Sequence, residues 1–342
     1  MLQRLLPSSI QSVLRFFSSP QKPSIQKLPD EIFVDILFSY LELRDILNLR
    51  EVCRWFYDLT HHEVVWKRLL QTSPLPIPPL PPLSRYKFDN LSAIEVQTLL
   101  VRAQSLERNW RKDGATPGVW SFDLEYRVEE VALLPGSKYL VASISDSTKR
   151  NWGIILCVLD SRLGVKPIAK TATKTKAFRL QARYFTINGT PGITIAFVCR
   201  DWVNAADRRK AYVASPNISE YSSQERIDSR YPIKHECRVL HVPLAPIEAL
   251  DHSSIIPGSC QYLQKTRSMS PPFHQISLIR SRSQILGPLV LDDFGGEPYL
   301  TVVKDPSQII FKPLEGGHVS IIDLLPNNEY PHLVRFVTTQ NR

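Results

Sequence analysis

The sequence predicts two segregated parts, a small all-helical segment and then a large all-β domain. Three observations carry this. Through residues 28–71 apolar residues recur at helical spacing: Ile32, Ile36 and Leu37, then Ile46, Leu47 and Leu49, then Val52, Trp55, Phe56 and Leu59. The run PLPIPPLPP at 74–82 then forbids helix and favours extended backbone. From Trp120 onward, short β-rich runs alternate with turn signals.

The helical segment begins at Leu28-Pro29-Asp30-Glu31. Proline suits a first helical turn, where a missing N–H costs nothing, and the acids suit its positive end. The spacing predicts a first helix to about Tyr40, a second from Leu43, a third from Arg54 and a short fourth piece carrying Trp66. About 45 residues bury too little surface to be comfortably stable alone, so apolar side chains are left for a partner.

This segment resembles an F-box. Leu28-Pro29 with Asp30-Glu31 and Ile32, the Ile36-Leu37 pair, Leu41, Asp45, Val52-Cys53-Arg54, Trp55 and Trp66 follow that family's order and spacing. The resemblance implies docking on the Skp-type adaptor of a cullin–RING ubiquitin ligase. The contact positions it implies are Leu28, Pro29, Ile32, Leu47, Val52, Cys53 and Trp55.

The flanking regions read differently. Residues 1–27 hold Arg4, Arg15, Lys22 and Lys27 and no acid, and read as a disordered basic tail. The composition also fits a mitochondrial transit peptide, though an F-box has no evident use there. Arg4 and Arg15 interrupt any secretory apolar region. Without such a signal the sequons at Asn90, Asn188 and Asn217 are chance matches. Residues 72–118 read as a proline-rich spacer and a connecting helix. The prolines could alternatively serve as an SH3- or WW-type ligand. The helix, at 92–111, is expected to open on a Ser92–Glu95 capping box and to pack onto the next domain.

Residues 119–342 read as all-β. Strands are expected at 128–134, 139–145, 154–159, 178–187, 193–199, 211–214, 238–242, 274–280, 285–291, 299–303 and 308–311. Pro135-Gly136, Asp146-Ser147, Asp160-Ser161 and Asn188-Gly189 supply turns. Helical patterns are nearly absent. The run VALLPGSKYLVASISD…WGIILCVLD resembles one blade of a WD-type β-propeller, without the repeating signature of that family. Long inserts at 215–231 and 259–272 shorten the usable chain. An incomplete propeller-like domain, or a β-sandwich, is therefore expected.

Composition bounds the chemistry. The 342 residues are 43% hydrophobic and 22% charged, ordinary for a globular protein. No run approaches the roughly 18 apolar residues of a membrane span. The five cysteines are scattered without a C-x-x-C, which fits a reducing compartment, cytoplasmic or nuclear, and argues against a structural zinc. The eight histidines form no H-E-x-x-H, and His61-His62 reads as solvated. No P-loop, dinucleotide fingerprint or nucleophile elbow occurs. Asp293-Phe294-Gly295 imitates a kinase metal motif but lacks its partner elements. Asp292 and Asp293 would point to opposite faces of a strand and make a poor acid/base pair. No catalytic residue, metal or cofactor is expected in this chain.

The net charge of +9 is localised. Residues 161–210 carry eleven basic side chains against Asp201 and Asp207, and the rest of the chain sums to zero. Lys174, Lys176, Arg179 and Arg183 are the candidate substrate-binding cations, suited to an acidic or phosphorylated target protein. The alternative is a nucleic-acid-binding surface over 166–210, though no known binding motif appears there. The expected function is a non-catalytic adaptor. The F-box would dock on the Skp-type subunit, and through it on cullin and RING subunits, while the β domain holds a target.

Overall fold

A computed structural model describes residues 29–324 and 335–339, apart from 36, 113, 115–120, 123, 161–163, 205, 208–231, 252–254 and 306. Leu28, the basic tail, the strand expected at 211–214 and the 215–231 insert lie outside the described residues. The chain forms two compact units. One is helical, running to Ile77 and resuming over Leu91–Thr116; the other holds Pro78–Asn90 and the chain from Pro117 onward.

The helical unit follows its apolar periodicity. Helix α1 (Asp30–Asp35) has Asp30 and Glu31 in its first turn and gives way to a 3-10 turn at Leu37–Tyr40, so the α-helix ends earlier than the spacing predicts. Then come α2 (Leu43–Leu49), α3 (Arg54–Leu59), α4 (Glu63–Thr72) and α5 (Ala93–Arg111). Helix α5 opens on the expected capping box: Ser92 N–H donates to Glu95, and Glu95 N–H donates to Ser92 Oγ. Phe33, Phe38, Leu43, Ile46, Leu59, Val65 and Trp66 are buried. Helix α5 lies against α4 and adds buried Val96, Leu99, Leu100 and Ala103. It therefore completes the helical core instead of joining the β unit as expected. A four-helix segment this small lacks apolar area, and α5 supplies it.

Thr60, fully buried, ties this unit together. Its carbonyl accepts from Trp66 Nε1 at 2.7 Å and from Arg50 Nη2 at 3.1 Å. The same Arg50 nitrogen reaches Gln97 on α5 at 3.0 Å, and the guanidinium lies 5.0 Å from the Trp66 ring centre. One arginine thus links the end of α2, the end of α3, α4 and α5, and burial pushes its pKa down.

The β unit is three consecutive antiparallel meanders. The first has order β1-β2-β3-β4 (Arg127–Leu133, Tyr139–Ser145, Trp152–Asp160, Gly164–Thr173). The second has order β5-β6-β7-β8 (Ala177–Ile187, Thr190–Trp202, Ile233–Pro243, His274–Ser281). The third runs from β9 (Ile285–Phe294) through β10 (Glu297–Lys304), β11 (Gln308–Pro313) and β12 (Val319–Asp323) to β13 (Arg335–Thr339). The first strands of successive sheets, β1, β5 and β9, lie in contact.

The middle sheet packs on both faces. Ile193, Ile195, Phe197 and Cys199 of β6 join Tyr139, Val141, Ile154 and Leu156 of the first sheet in one core. Ala196 and Val198 point the other way, with Leu289, Leu291, Leu300 and Val302 of the third sheet. Alternation along β6 accounts for both sets, and two-sided burial accounts for its nearly continuous apolar run from Ile193 to Cys199, interrupted by Thr194.

Three elements depart from the expected pattern. Strand β4 occupies a stretch read only for its charge. Helices α6 (Leu244–Leu250) and α7 (Cys260–Arg267) stand where few helices were expected. Helix α6 buries Leu244, Ile247 and Leu250 in the core between the first two sheets.

The prolines are not all spacer. Pro78–Asn90 belongs to the β unit, Pro81 is buried, and Leu83 packs against the main β core. Gly136, at φ +80°, abuts this segment: a Cβ there would stand 2.0 Å from the Pro79 carbonyl oxygen. Gly136→Ala is therefore expected to destabilise the β unit by more than the roughly 1 kcal/mol of a left-handed residue alone. Urea denaturation followed at the β signal checks this, and an unchanged midpoint would show that the segment yields freely.

Candidate functional site

The adaptor-contact positions implied by the sequence fall into two groups. Pro29, Ile32 and Val52 are exposed, Val52 by 65%. Leu47, Cys53 and Trp55 are half-buried. Leu28 lies outside the described residues. Trp55 is held edge-on to the buried Phe33 ring at 4.8 Å, so α1 and the start of α3 are packed together. Phe33 was absent from the sequence reading, which put Ile32 in the apolar stripe; the structure turns Ile32 outward and Phe33 inward. Tyr40, Tyr57 and Val64 are further exposed apolar side chains of this unit.

The four cations expected to bind substrate do not share one face. Lys174 is exposed in the turn between β4 and β5. Lys176 is half-buried, with its ammonium 2.6 Å from Glu129 of β1. Arg179, at φ +57°, sits in a β-bulge of β5 whose Leu180 N–H donates to Glu130 at 2.8 Å. Lys176 and the bulge thus face two neighbouring acids of β1 and help join the first sheet to the second. Arg183, farther along β5, pairs with Asp292 at 2.5 Å across an exposed surface. Solvent screens such a pair, so it adds little to stability.

Lys174 also lines a cavity of about 230 Å³ with Thr171, Thr173, Thr175, Asp201, Glu236 and Arg238. The residues come from the end of β4, the crossover to β5, and β6 and β7. Glu236 is almost fully buried, and its carboxylate meets Arg238 at 2.5 Å, Lys234 at 3.2 Å and Arg280 at 3.6 Å. Burial pushes the Glu236 carboxyl up, but hydrogen bonds from Arg238 and Lys234 outweigh it and hold the pKa below the ordinary range. Asp201, Glu236 and Arg238 were missed by the sequence reading. A signal was present: Lys234, Glu236 and Arg238 lie at alternate positions of β7, which puts all three on one face.

The chemistry of the other titratable groups is quiet. Burial pushes the thiols of Cys157, Cys199 and Cys237 up to about 12, so they stay protonated at neutral pH. Among the described residues no group of His, Cys, Asp and Glu is placed to hold a metal ion, and no helix is long and apolar enough to cross a membrane.

His235 gives a pH prediction. Burial, then Arg200 and Arg179, push it down to about 4. A histidine whose folded pKa is lowered contributes stability above its unfolded value near 6.5, and loses it as pH falls towards the folded value. Urea midpoints of the β unit are therefore expected to drop between about pH 6.5 and 4. His235→Gln should make that fall shallower, the remainder including His241, which burial also pushes down. The further drop below about pH 4.3, where carboxylates such as Glu236 are protonated, should remain. A wild-type midpoint constant over that window would contradict the assignment.

Comparison with known proteins agrees with the helical unit's architecture. Residues 25–72 match the family model described as F-box-like. The chain thus carries an N-terminal F-box-like domain, followed by a region that is mostly β-sheet. This match supports a role as an adaptor of Skp–cullin–F-box-type ubiquitin ligases. No curated protein matches the chain.

Proposed function

We propose that this chain is a substrate adaptor of a Skp–cullin–F-box-type ubiquitin ligase. The F-box-like domain docks on a Skp-type subunit, and the β unit holds the target. The observation that carries the reading is the F-box-like match at 25–72, on a unit that leaves Ile32 and Val52 at its surface. The docking face comprises Leu28, Pro29, Ile32, Leu47, Val52, Cys53 and Trp55. The mechanism is proximity: a target held near a charged ubiquitin-conjugating enzyme reacts at raised effective concentration, with no bond made or broken by this chain.

Three consecutive meanders with adjoining first strands support a propeller-like, incomplete architecture for the target-holding part. A closed propeller takes about 4–8 blades, more than the three sheets found among the described residues. Of the four candidate cations, Lys174 is the one best placed to meet a target, being exposed at the cavity mouth. Affinity purification of the full chain, with and without the F-box-like segment, tests the division of labour. Targets should be retained and the Skp-type subunit lost when residues 28–71 are removed. Loss of both together would refute independent binding by the β unit.

A further inference from the structure

We propose that the cavity between β4 and the β6–β7 pair is a subsite for one anionic side chain, carboxylate or phosphoryl, of a target protein. This rests on the reading of the β unit as the target-holding part. At about 230 Å³ the cavity is smaller than the 300–1,000 Å³ of drug-sized ligand pockets, and fits a side chain better than a whole small molecule.

Among the described residues its acidic groups are already engaged, while Lys174 is not. Lys174 and Arg238 line it with Asp201 and Glu236, and the two acids are further met from outside the lining by Lys234 and Arg280. Both Glu236 oxygens are engaged, Oε2 by Arg238 and Oε1 by Lys234 and Arg280. One Asp201 oxygen accepts the Trp202 N–H at 2.8 Å, and the other lies 4.0 Å from Lys234. By contrast, the Nε of Arg238 is buried with no acceptor among the described residues. Lys174 is exposed and has no ion pair among them. Thr173 and Thr175 spend their hydroxyl protons on backbone carbonyls, at 2.9 and 2.7 Å.

A partly enclosed site lined by an unpaired ammonium favours a group that only accepts. Ionised carboxylates and phosphoryl groups are such acceptors, and their hydrogen bonds to Arg and Lys are charge-assisted. A lysine or arginine from a target would meet carboxylates that are already neutralised.

The test uses the full chain with O-phospho-L-serine, inorganic phosphate and acetate as probes, titrated at constant ionic strength. Lys174→Glu is the main variant and Lys174→Ala the second, should the first disturb folding. Lys112→Glu, exposed on the helical unit, is the control. Saturable anion binding is expected in wild type and in the control, weakened about tenfold or more in both Lys174 variants, the loss expected from one charge-assisted hydrogen bond. Preference between acetate and phosphoserine identifies the anion. No saturable binding, equal binding by the Lys174 variants, or preference for an alkylammonium probe would each overturn the proposal. Skp-type adaptor binding is measured on the same samples. Its absence from wild type would remove the adaptor reading without touching the anion result.

Discussion

Val52→Asp should weaken binding to a Skp-type adaptor at least about tenfold while the helical unit stays folded. Val52 follows α2 and is 65% exposed, so its replacement removes almost no internal packing. Exposed substitutions usually change stability within about 0.5 kcal/mol. On docking the balance reverses. Burying a valine contributes about 1.5 kcal/mol or more, and an unpaired carboxylate in an apolar interface costs several kcal/mol. At 1.4 kcal/mol per tenfold, affinity should fall at least about tenfold, and more if the charge is fully desolvated. Trp66→Ala makes the contrast. That side chain is fully buried and bonded to the Thr60 carbonyl, so its loss should cost about 3–5 kcal/mol and unfold the unit. Circular dichroism with calorimetric binding separates the cases. Wild-type affinity in a folded Val52→Asp variant would take Val52 off the contact face.

Glu248→Ala should destabilise the β unit by loosening the ion-pair cluster at α6. Glu248 on α6 accepts from the Lys138 ammonium at 2.7 Å, from the Tyr139 phenol, and from Arg85 at 3.2 Å, with the Tyr86 phenol at 3.3 Å. Burial pushes the Glu248 carboxyl up, yet hydrogen bonds from Lys138 and Tyr139 prevail and hold it below the ordinary range. Burial likewise pushes Lys138 down, and its bonds to Glu248 and Tyr86 raise it overall. Removing the carboxylate leaves a half-buried ammonium, which retains Asp251 at 3.1 Å, and strands the buried Tyr139 hydroxyl. Breaking a fully buried pair from one side costs about 3–5 kcal/mol, and the partial exposure of Lys138 and its remaining Asp251 partner put this loss near or below the lower end. For a unit of this size each kcal/mol shifts Tm by about 2–4 °C. The 78–90 segment should loosen too, since Arg85 and Tyr86 lose their anchor, and limited proteolysis there would report it. A Tm within a degree or two of wild type would show that the cluster is incidental.

Much of this architecture is legible in the sequence, for local reasons. The helices start where caps and apolar period put them, at Leu43, Arg54 and Ala93. Strand β2 covers the predicted 139–145, because its bounding turns are strong and every residue is apolar or small. Strand β4 was hidden by Lys166, Pro167 and Lys170. As the edge of its sheet it tolerates the proline, and its pairing with β3 shifts register there. Helix α6 is seven residues long and holds a proline in its first turns, too short for periodicity to declare it. The F-box-like segment was legible because its residues are close in sequence. The cavity was not, because tertiary packing brings Lys174 and Thr175 to Glu236 and Arg238 from distant strands. That packing also separates what sequence proximity had grouped. Lys174, Lys176, Arg179 and Arg183 lie within ten positions, yet Lys176 faces Glu129 and Arg183 faces Asp292.

The central claim is that the F-box-like domain joins this chain to a ubiquitin ligase through a Skp-type subunit. The direct measurement mixes the purified full chain with a purified Skp-type adaptor and determines the mass of the species formed. Alongside it runs a variant carrying Leu28→Ala and Pro29→Ala. Wild type is expected to give a stoichiometric complex. The variant should elute as free chain with its β-unit circular dichroism and Tm unchanged. A wild-type chain that stays free at concentrations where the domains are folded, or a variant that binds equally well, would contradict the account.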